Sequence, residues 1–204
     1  MLGLYIGIIL LLNIPYVQHR MSVLVAKELS TVLGSELTVG RINIGLLNRI
    51  IIDDLVLNDQ SGKELLKIGR LSAKFEILPL FSGKISIGNV QLFSFNANLE
   101  RPTPQASTNF QFVLDAFASK DTVKKKSNLD LRINSLLIRR GKVSYDVLSA
   151  ESTPGKFNPQ HIRLSNILAN ISLKALQNDS VNAAIKRMSV EEEHSGFELK
   201  KLSL

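Results

Sequence analysis

The sequence predicts a mostly β protein, in which a membrane-anchor helix and an amphipathic helix precede a curved, groove-forming antiparallel β-sheet with short crossover helices. Three observations predict this class. The chain carries no charged side chain before His19, apolar residues then recur at helical spacing as far as Gly34, and short extended apolar segments dominate from residue 36 onward. We therefore expect a transmembrane anchor at 1–16, an amphipathic helix at 17–34, and a groove domain at 35–204 that continues beyond this sequence.

The N-terminal run MLGLYIGIILLLNIPYVQ sets the anchor prediction. A membrane-spanning helix needs about 20 apolar residues, with a lower limit near 17, so the run is just long enough if Pro15 and Tyr16 lie at the interface. A cleaved signal peptide would carry basic residues before the apolar core and a small-x-small site after it, and neither is present. We expect an uncleaved anchor, with a signal peptide and a buried helix as the alternatives.

The next segment has the spacing of an amphipathic helix that ends at Gly34, a residue typical of the position after a helix. Its apolar stripe comprises Val17, Met21, Leu24, Val25, Leu29, Val32 and Leu33. The helix either caps the first strands, which we favour, or lies on the membrane surface.

An unusual spacing of apolar residues characterises the strands. In KISIGNVQL, residues 84–92, two alternating apolar residues are followed by a polar pair and then by two more. The same spacing recurs in ELTVGRINI, IIIDDLVL, LRINSLLI, IRLSNILA, AIKRMSV and FELKKLSL. The polar pair is either a two-residue hairpin turn or a β-bulge. We favour the bulge, because a turn would leave strands of about three residues, shorter than the usual five or six.

A bulge returns the second apolar pair to the face of the first, so repeated bulges would build a curved sheet with one continuous apolar face. We predict that this face is an open groove that holds lipid acyl chains, and a closed sandwich is the alternative. The predicted lining residues are Leu37, Val39, Ile42, Ile44, Ile50, Ile52, Leu55, Leu57, Leu71, Phe75, Ile85, Ile87, Val90, Leu92, Phe93, Phe95, Leu131, Ile133, Leu136, Ile138, Ile162, Leu164 and Ile167.

The segments between strands predict one turn and two crossovers. Residues 58–64 have turn composition, residues 78–84 suggest a single helical turn, and residues 109–118 have the spacing of a short helix capped by Thr108 or Asn109. Polar stretches at 119–128 and 151–160 are expected to be loops.

Chemistry-bearing motifs are not evident in this sequence. The three histidines, His19, His161 and His194, are scattered without metal-ligand spacing, cysteine is absent, and no glycine-rich phosphate loop or nucleophile motif occurs. The net charge of +7 is spread along the chain rather than grouped with aromatic residues, which disfavours nucleic-acid binding. We therefore expect a protein that is not an enzyme and that uses no cofactor and no metal.

Two long stretches, VLGSELTVGRINIGLLNRIIIDDLVLNDQSGKELLKIGRL and KFEILPLFSGKISIGNVQLFSFNANLERP, followed by NFQFVLDAF, carry a family resemblance. Together with the preceding apolar segment, they resemble the N-terminal region of TamB and its AsmA-like relatives, most closely the versions found in Bacteroidetes-type bacteria. The resemblance covers residues 1 to about 120. Its motifs are patterns of apolar spacing with a few fixed turns.

The resemblance implies a single-pass anchor in the bacterial inner membrane and a long periplasmic β-taco. It further implies transfer of membrane phospholipid between the inner and outer membranes. The alternative role in the family is a translocation and assembly module, a scaffold for outer-membrane protein assembly without lipid transport. An outer-membrane barrel protein of the Omp85 type is the implied partner, through a C-terminal part beyond these residues. The anchor departs from the family in lacking leading basic residues.

Overall fold

The computed structural model describes residues 3, 7, 10–45, 48–75, 85–117, 129–130, 134–177 and 180–202. Within these ranges it describes only the backbone of residues 75, 85–87, 117, 129–130, 173–177 and 180–183. The two helices are α1 (Pro15–Leu33) and α2 (Gln111–Phe117). The strands are β1 (Leu37–Gly45), β2 (Arg49–Asn58), β3 (Glu64–Phe75), β4 (Ile85–Arg101), β5 (Leu129–Asp130), β6 (Ser135–Val147), β7 (His161–Gln177), β8 (Ser180–Glu192) and β9 (Glu198–Leu202).

The described strands form one open, curved sheet, which confirms the mostly β class, and they do not close into a sandwich. Its strand order is β1-β2-β3-β4-β6-β7-β8-β9, with the short β5 paired to β4. Most neighbouring strands also follow each other in the chain. The turn predicted at 58–64 is confirmed, since β2 ends at Asn58 and β3 begins at Glu64.

The prediction of an antiparallel sheet is wrong at its centre. Strand β4 pairs with β6 in parallel, and the short β5 also pairs with β4 in parallel. Parallel neighbours need a crossover of a dozen or more residues, and the segment between Arg101 and Ser135 provides it. Helix α2 lies in this crossover and confirms the helix predicted at 109–118. The helical turn predicted at 78–84 lies outside the described residues.

Helix α1 begins at Pro15, which occupies the first helical turn, where its missing N–H costs nothing. It ends at Gly34, whose φ of 64° is the left-handed conformation expected after a helix. Ser30, near the end of α1, accepts a hydrogen bond from the backbone N–H of Leu37, 2.9 Å away, and so ties the helix to β1. The prediction that this helix caps the first strands is confirmed.

One end of the apolar face is closed by the helices. Leu33 of α1 and Leu37, Leu57 and Leu65 of the first three strands form a buried cluster. Residues of α1 and α2, including Leu29 and others at the start of α2, pack around it. Leu65 has no exposed surface, because it is the extra residue of a register shift between β2 and β3 that turns it into the core. This end of the domain is a conventional packed core.

Of the predicted anchor at 1–16, the structure describes residues 3, 7 and 10–16. Among the described residues, no helix combines the length and the apolar character required to cross a bilayer. The anchor at 1–16 stays a prediction.

Candidate functional site: a kinked sheet with two unlike faces

Six of the seven polar pairs lie inside continuous strands, so these six are not hairpin turns; the seventh, Asn134-Ser135, stands at the start of β6. Register shifts confirm the bulge interpretation in β4, β7, β8 and β9, whereas β1 and β2 kink together without a shift. In KISIGNVQL, Lys74 of β3 pairs with Asn89 of β4, and the next residue, Phe75, pairs with Ile87. Gly88 is therefore the extra residue of a bulge. It accounts for the change in apolar alternation within this segment. Comparable register shifts occur beside Asn166 in β7 and beside Lys186 in β8.

A line of kinks crosses the sheet at one level. We call it the kink row, and it comprises Gly40 of β1, Asp54 of β2, Gly69 of β3, Ser94 of β4, Arg140 of β6 and Asn166 of β7. The four of these residues that are not glycine have φ between 51° and 55°, the left-handed region that L-residues seldom adopt in a strand. The register of β1 with β2 resumes unchanged on both sides of the row, because both strands are distorted together.

Glycine occupies the row where neighbouring strands approach closely. A Cβ added at Gly40 would lie 3.0 Å from Cβ of Asp54 and 3.2 Å from the carbonyl oxygen of Asp53. A Cβ added at Gly141, next to the row, would collide with the edge of the Phe95 ring. The kinks of adjacent strands therefore interlock, and a side chain at either glycine would force them apart.

The kink row keeps the apolar side chains on one face. Cross-strand partners share a face, and each kink shifts the alternation of its strand by one, at a left-handed residue in β2, β4, β6 and β7 and at a glycine in β1 and β3. On one side of the row, Val39, Leu55, Ile68 and Phe95 are successive partners across β1 to β4. On the other side the successive partners are Ile42, Ile52, Leu71, Leu92 and Ile138. Leu55, Ile68 and Ile42 are all buried, at 8%, 5% and 3% exposure.

The structure sorts the predicted lining residues into three groups. Leu37 and Leu57 belong to the closed core beneath the helices rather than to an open surface. Ile42, Leu55 and Ile167 are buried, whereas the half-buried members are Val39, Ile44, Ile50, Ile52, Leu71, Val90, Leu92, Phe95, Leu136, Ile138, Ile162 and Leu164. Leu131 and Ile133 and the side chains of Phe75, Ile85 and Ile87 lie outside what the structure describes. Whether any of these residues contacts lipid stays a prediction.

Phe93 requires a correction, because it lies on the face opposite Phe95. The two residues alternate with Ser94 in the sequence, which predicted a shared face, but the left-handed conformation of Ser94 shifts the phase between them. Phe93 pairs with Arg70 of β3 and Arg139 of β6, and the guanidinium of Arg139 lies 5.9 Å from the centre of its ring. Phe93 therefore belongs to a polar face rich in arginine.

That polar face contains two adjoining grooves. The first, of about 660 Å³, runs along the kink row and is lined by Arg41, Asp53, Arg70 and Arg140 among others. In it, Arg70 donates to both carboxylate oxygens of Asp53, at 2.6 and 3.2 Å, and this hydrogen bonding raises the pKa of Arg70. The second groove, of about 560 Å³, shares Phe93 and Arg140 with the first.

A further polar cluster lies where β6 and β8 end and β7 begins. Asp146 accepts from His161 at 2.9 Å and pairs with Arg163 at 2.8 Å. Burial alone would raise the pKa of Asp146, but hydrogen bonds from Arg163 and His161 outweigh it and lower that pKa. No nucleophile is placed against this histidine in the described residues, and no group of three or more acidic or histidine side chains there could hold a metal ion. The cluster therefore joins strand ends.

The polar groove could not be located from the sequence, because its residues come from five strands whose register was unknown. A partial indication was available: Asp53-Asp54, Arg139-Arg140 and Ser165-Asn166 all interrupt apolar alternation. Stacking the strands so that these pairs align would have brought the charged side chains together.

Comparison of the sequence with models of known protein families finds no family that matches, and comparison with individually curated proteins finds no match either. The site is therefore interpreted from its own geometry, and the resemblance stated above remains an expectation.

Proposed function

We propose that this chain shields lipid acyl chains along the apolar face of its curved sheet, and that it conducts them between two membranes. The observation that supports this proposal is the continuity of the apolar face across the kink row. Apolar partners run from β1 to β4 on one side of the row and from β1 to β6 on the other, although a polar or glycine residue interrupts every strand between them.

The half-buried residues beyond the kink row are the proposed contact surface. Ile44, Ile50, Val90 and Leu136 are successive members of one row when Ala73 of β3 is included. Each retains some exposed surface, unlike the closed core around Leu65. Burying an acyl chain there would contribute about 0.8 kcal/mol for each CH₂ removed from water. A continuous row is suited to a long chain, whereas a compact cavity would suit a small ligand.

The cellular setting of this proposal rests on the resemblance to TamB and AsmA-like proteins. On that basis we propose an inner-membrane anchor, a periplasmic groove domain and an outer-membrane barrel partner of the Omp85 type. Phospholipid is the proposed cargo. These statements extend the proposal beyond the described residues, and they depend on the anchor at 1–16.

Photo-crosslinking from two adjacent positions tests the conduit. Leu92 lies in the apolar row, whereas Gln91 is the preceding residue of the same strand and its side chain points to the opposite face. Benzoylphenylalanine placed at Leu92 of the full chain, expressed in a bacterial envelope, should form crosslinks to lipid detected by mass spectrometry. The same group at Gln91 is the matched control and should form few.

Equal crosslinking to lipid from both positions, or none from Leu92, would contradict the conduit. Crosslinks from Leu92 to polypeptide instead of lipid would support the alternative function, a scaffold for outer-membrane protein assembly. Lipid that copurifies with the chain in the absence of detergent provides the second measurement, and it should be lost when Leu92 and Ile138 are both replaced by Lys.

A further inference from the structure

The second groove of the polar face contains a group of arginines that no ion pair explains. We call it the arginine pocket and define it by Phe93, Arg139, Arg140, Asn170, Arg187 and Ser189. It has a volume of about 560 Å³ and lies on β4, β6, β7 and β8. It is thus built on strands rather than on loops, which holds its side chains at fixed spacing.

Strand pairing brings the members of the pocket together. Leu137 of β6 pairs with Asn170 of β7, which pairs in turn with Arg187 of β8. Arg139 follows Leu137 by two residues and Ser189 follows Arg187 by two, so all of them share the polar face. Asn170 and Arg187 are direct partners, whereas Arg139 lies on the far side of β7 and two residues further along its strand. The two arginines share the groove through their long side chains.

The charge of the pocket is one-sided. Three guanidinium groups line it, and no carboxylate does among the described residues. In the same part of the chain, no ion pair is formed by Arg139, Arg140 or Arg187, whereas Arg70 in the neighbouring groove is neutralised by Asp53. Glu191 accepts a hydrogen bond from Asn166 at the edge of the groove, but its carboxylate neither lines the groove nor pairs with one of the three arginines. Like charges held together without counter-charge favour binding of an anion.

Arg140 adds an observation from the backbone. Its φ of 54° lies in the left-handed region, which glycine adopts without strain but a residue with a side chain does not. The same conformation recurs at the other non-glycine positions of the kink row, so it belongs to the kink of β6. Here the strained residue directs a third guanidinium toward the pocket shared by Arg139 and Arg187.

We propose that the arginine pocket binds a phosphate group, supplied as a soluble phosphate ester or as a phospholipid headgroup. Planar guanidinium groups donate two parallel hydrogen bonds to phosphate oxygens, and Asn170 and Ser189 supply neutral donors beside them. Phe93 and Leu137 form an apolar floor for the carbon atoms next to the phosphate. The proposal is independent of the lipid conduit, because this pocket lies on the other face of the sheet.

Titration calorimetry on the full chain with glycerol 3-phosphate tests binding of the soluble form. Flotation with vesicles of phosphatidylcholine alone, or mixed equally with phosphatidylglycerol, tests the headgroup. Arg139→Gln and Arg187→Gln should each weaken binding about tenfold, the loss expected when one charge-assisted contact is removed. Arg187→Lys keeps the positive charge but loses the paired N–H donors of the guanidinium. Its affinity should lie between those of Arg187→Gln and the wild type.

Arg49→Gln is the matched control, because Arg49 is an exposed arginine at the start of β2 that does not line the pocket. It should leave binding unchanged. All three pocket arginines are exposed, so their variants should retain the wild-type unfolding midpoint, which is measured alongside.

Loss of binding that is specific to the pocket variants supports the proposal, and the probe that responds identifies the source of the phosphate. Two results would overturn it. One is the absence of binding to both glycerol 3-phosphate and phosphatidylglycerol vesicles. The other is an equal loss in Arg49→Gln, which would show attraction by net charge alone.

Discussion

The Nδ1 atom of His161 lies 2.9 Å from Oδ1 of Asp146, and this contact joins the start of β7 to the end of β6. The second ring nitrogen, Nε2, lies 3.0 Å from the carbonyl oxygen of Ala150. Both neighbours are acceptors, and only the doubly protonated imidazolium can donate from both nitrogens. The loop between β6 and β7 is therefore fastened by a charged histidine.

The stability of the protein should depend on pH through this histidine. Hydrogen bonds to Asp146 and to the carbonyl of Ala150 raise the pKa of His161, although burial and Arg163 oppose the shift. A raised folded-state pKa gives stability that is complete below the unfolded-state value of about 6.5, and that is lost as pH rises through the folded-state pKa. Urea unfolding at acidic and alkaline pH should show a smaller free energy of unfolding at alkaline pH.

The His161→Gln variant should lose this pH-dependent contribution and about 1 kcal/mol of stability at acidic pH. His19→Gln, on the exposed surface of α1, is the control and should keep the wild-type dependence. An identical pH profile for wild type and His161→Gln would show that the imidazolium does not fasten the loop.

Glu192 should stabilise the turn between β8 and β9 as a carboxylate. Glu192 is 3% exposed, and its carboxylate accepts hydrogen bonds from Ser195 Oγ at 2.5 Å and from the Ser195 backbone N–H at 2.7 Å. Burial alone would raise its pKa, but the hydrogen bonds from Ser195, His194 and Arg163 lower it to about 2. Its contribution is thus present above the unfolded value of 4.5 and is lost as pH falls toward 2.

Glu192→Gln should cost roughly 1–3 kcal/mol near neutral pH, because an amide cannot accept from all of these donors with both of its polar atoms. The cost should shrink in acid, where the wild-type carboxylate is itself protonated. Glu193→Gln, the exposed neighbour, should be close to neutral. Denaturant unfolding of the three proteins at neutral and acidic pH measures the difference, and a cost independent of pH would contradict the assignment.

Gly40→Ala tests the interlocked kinks. A Cβ at this position would lie 3.0 Å from Cβ of Asp54 and 3.2 Å from the carbonyl oxygen of Asp53, so the backbone of β2 must shift by a few tenths of an ångström. We expect a loss of roughly 1–3 kcal/mol in the free energy of unfolding, the usual cost of overpacking. Gly45→Ala is the matched control in the same strand, since its added Cβ would meet nothing closer than 3.6 Å. Equal effects of the two substitutions would mean that Gly40 is not required by the neighbouring strand.

The apolar face and the bulges could be predicted from the sequence, because both leave a local trace. A polar pair between two apolar pairs shifts the phase of a strand wherever it occurs, as Gly88-Asn89 does in β4. Phe93 could not be placed in this way. Serine is common in regular strands, so nothing in FSFNANL distinguishes the left-handed Ser94 from its neighbours. A kink that is not recognised places the residues on its two sides on the wrong faces relative to each other.

The parallel pairing of β4 with β6 is likewise not indicated by any local sequence pattern. Strand direction depends on the end of the sheet at which the chain re-enters after residue 101, and the apolar pattern within one strand does not encode that end. The arginine pocket depends in turn on this pairing, because it brings Phe93 next to Arg139. Long-range pairing therefore decided the strand direction and the arginine pocket, whereas a local kink at Ser94 decided the position of Phe93.

Ser94→Gly should be neutral or should raise stability. The left-handed conformation at Ser94, with φ of 53°, costs roughly 1–2 kcal/mol for a residue with a Cβ, and glycine removes that strain. Glycine also brings about 0.5–1 kcal/mol of additional backbone entropy to the unfolded chain, which offsets much of the gain. Gln91→Gly in the same strand adds the same backbone entropy to the unfolded chain but relieves no left-handed strain. It should therefore lower the unfolding midpoint. A larger loss in Ser94→Gly than in Gln91→Gly would contradict the strained kink.

Leu65→Ala should be among the most damaging substitutions in the chain. The side chain is fully buried in the cluster formed with Leu33, Leu37 and Leu57, where α1 and α2 close one end of the sheet. Truncation leaves a cavity that strands pinned by register cannot fill, so the expected cost is about 2–5 kcal/mol. Leu148→Ala is the control, because Leu148 is 59% exposed and its truncation should change stability little. Denaturant unfolding of both variants compares the two, and a small effect at Leu65 would mean that the helices are not held to the sheet by this core.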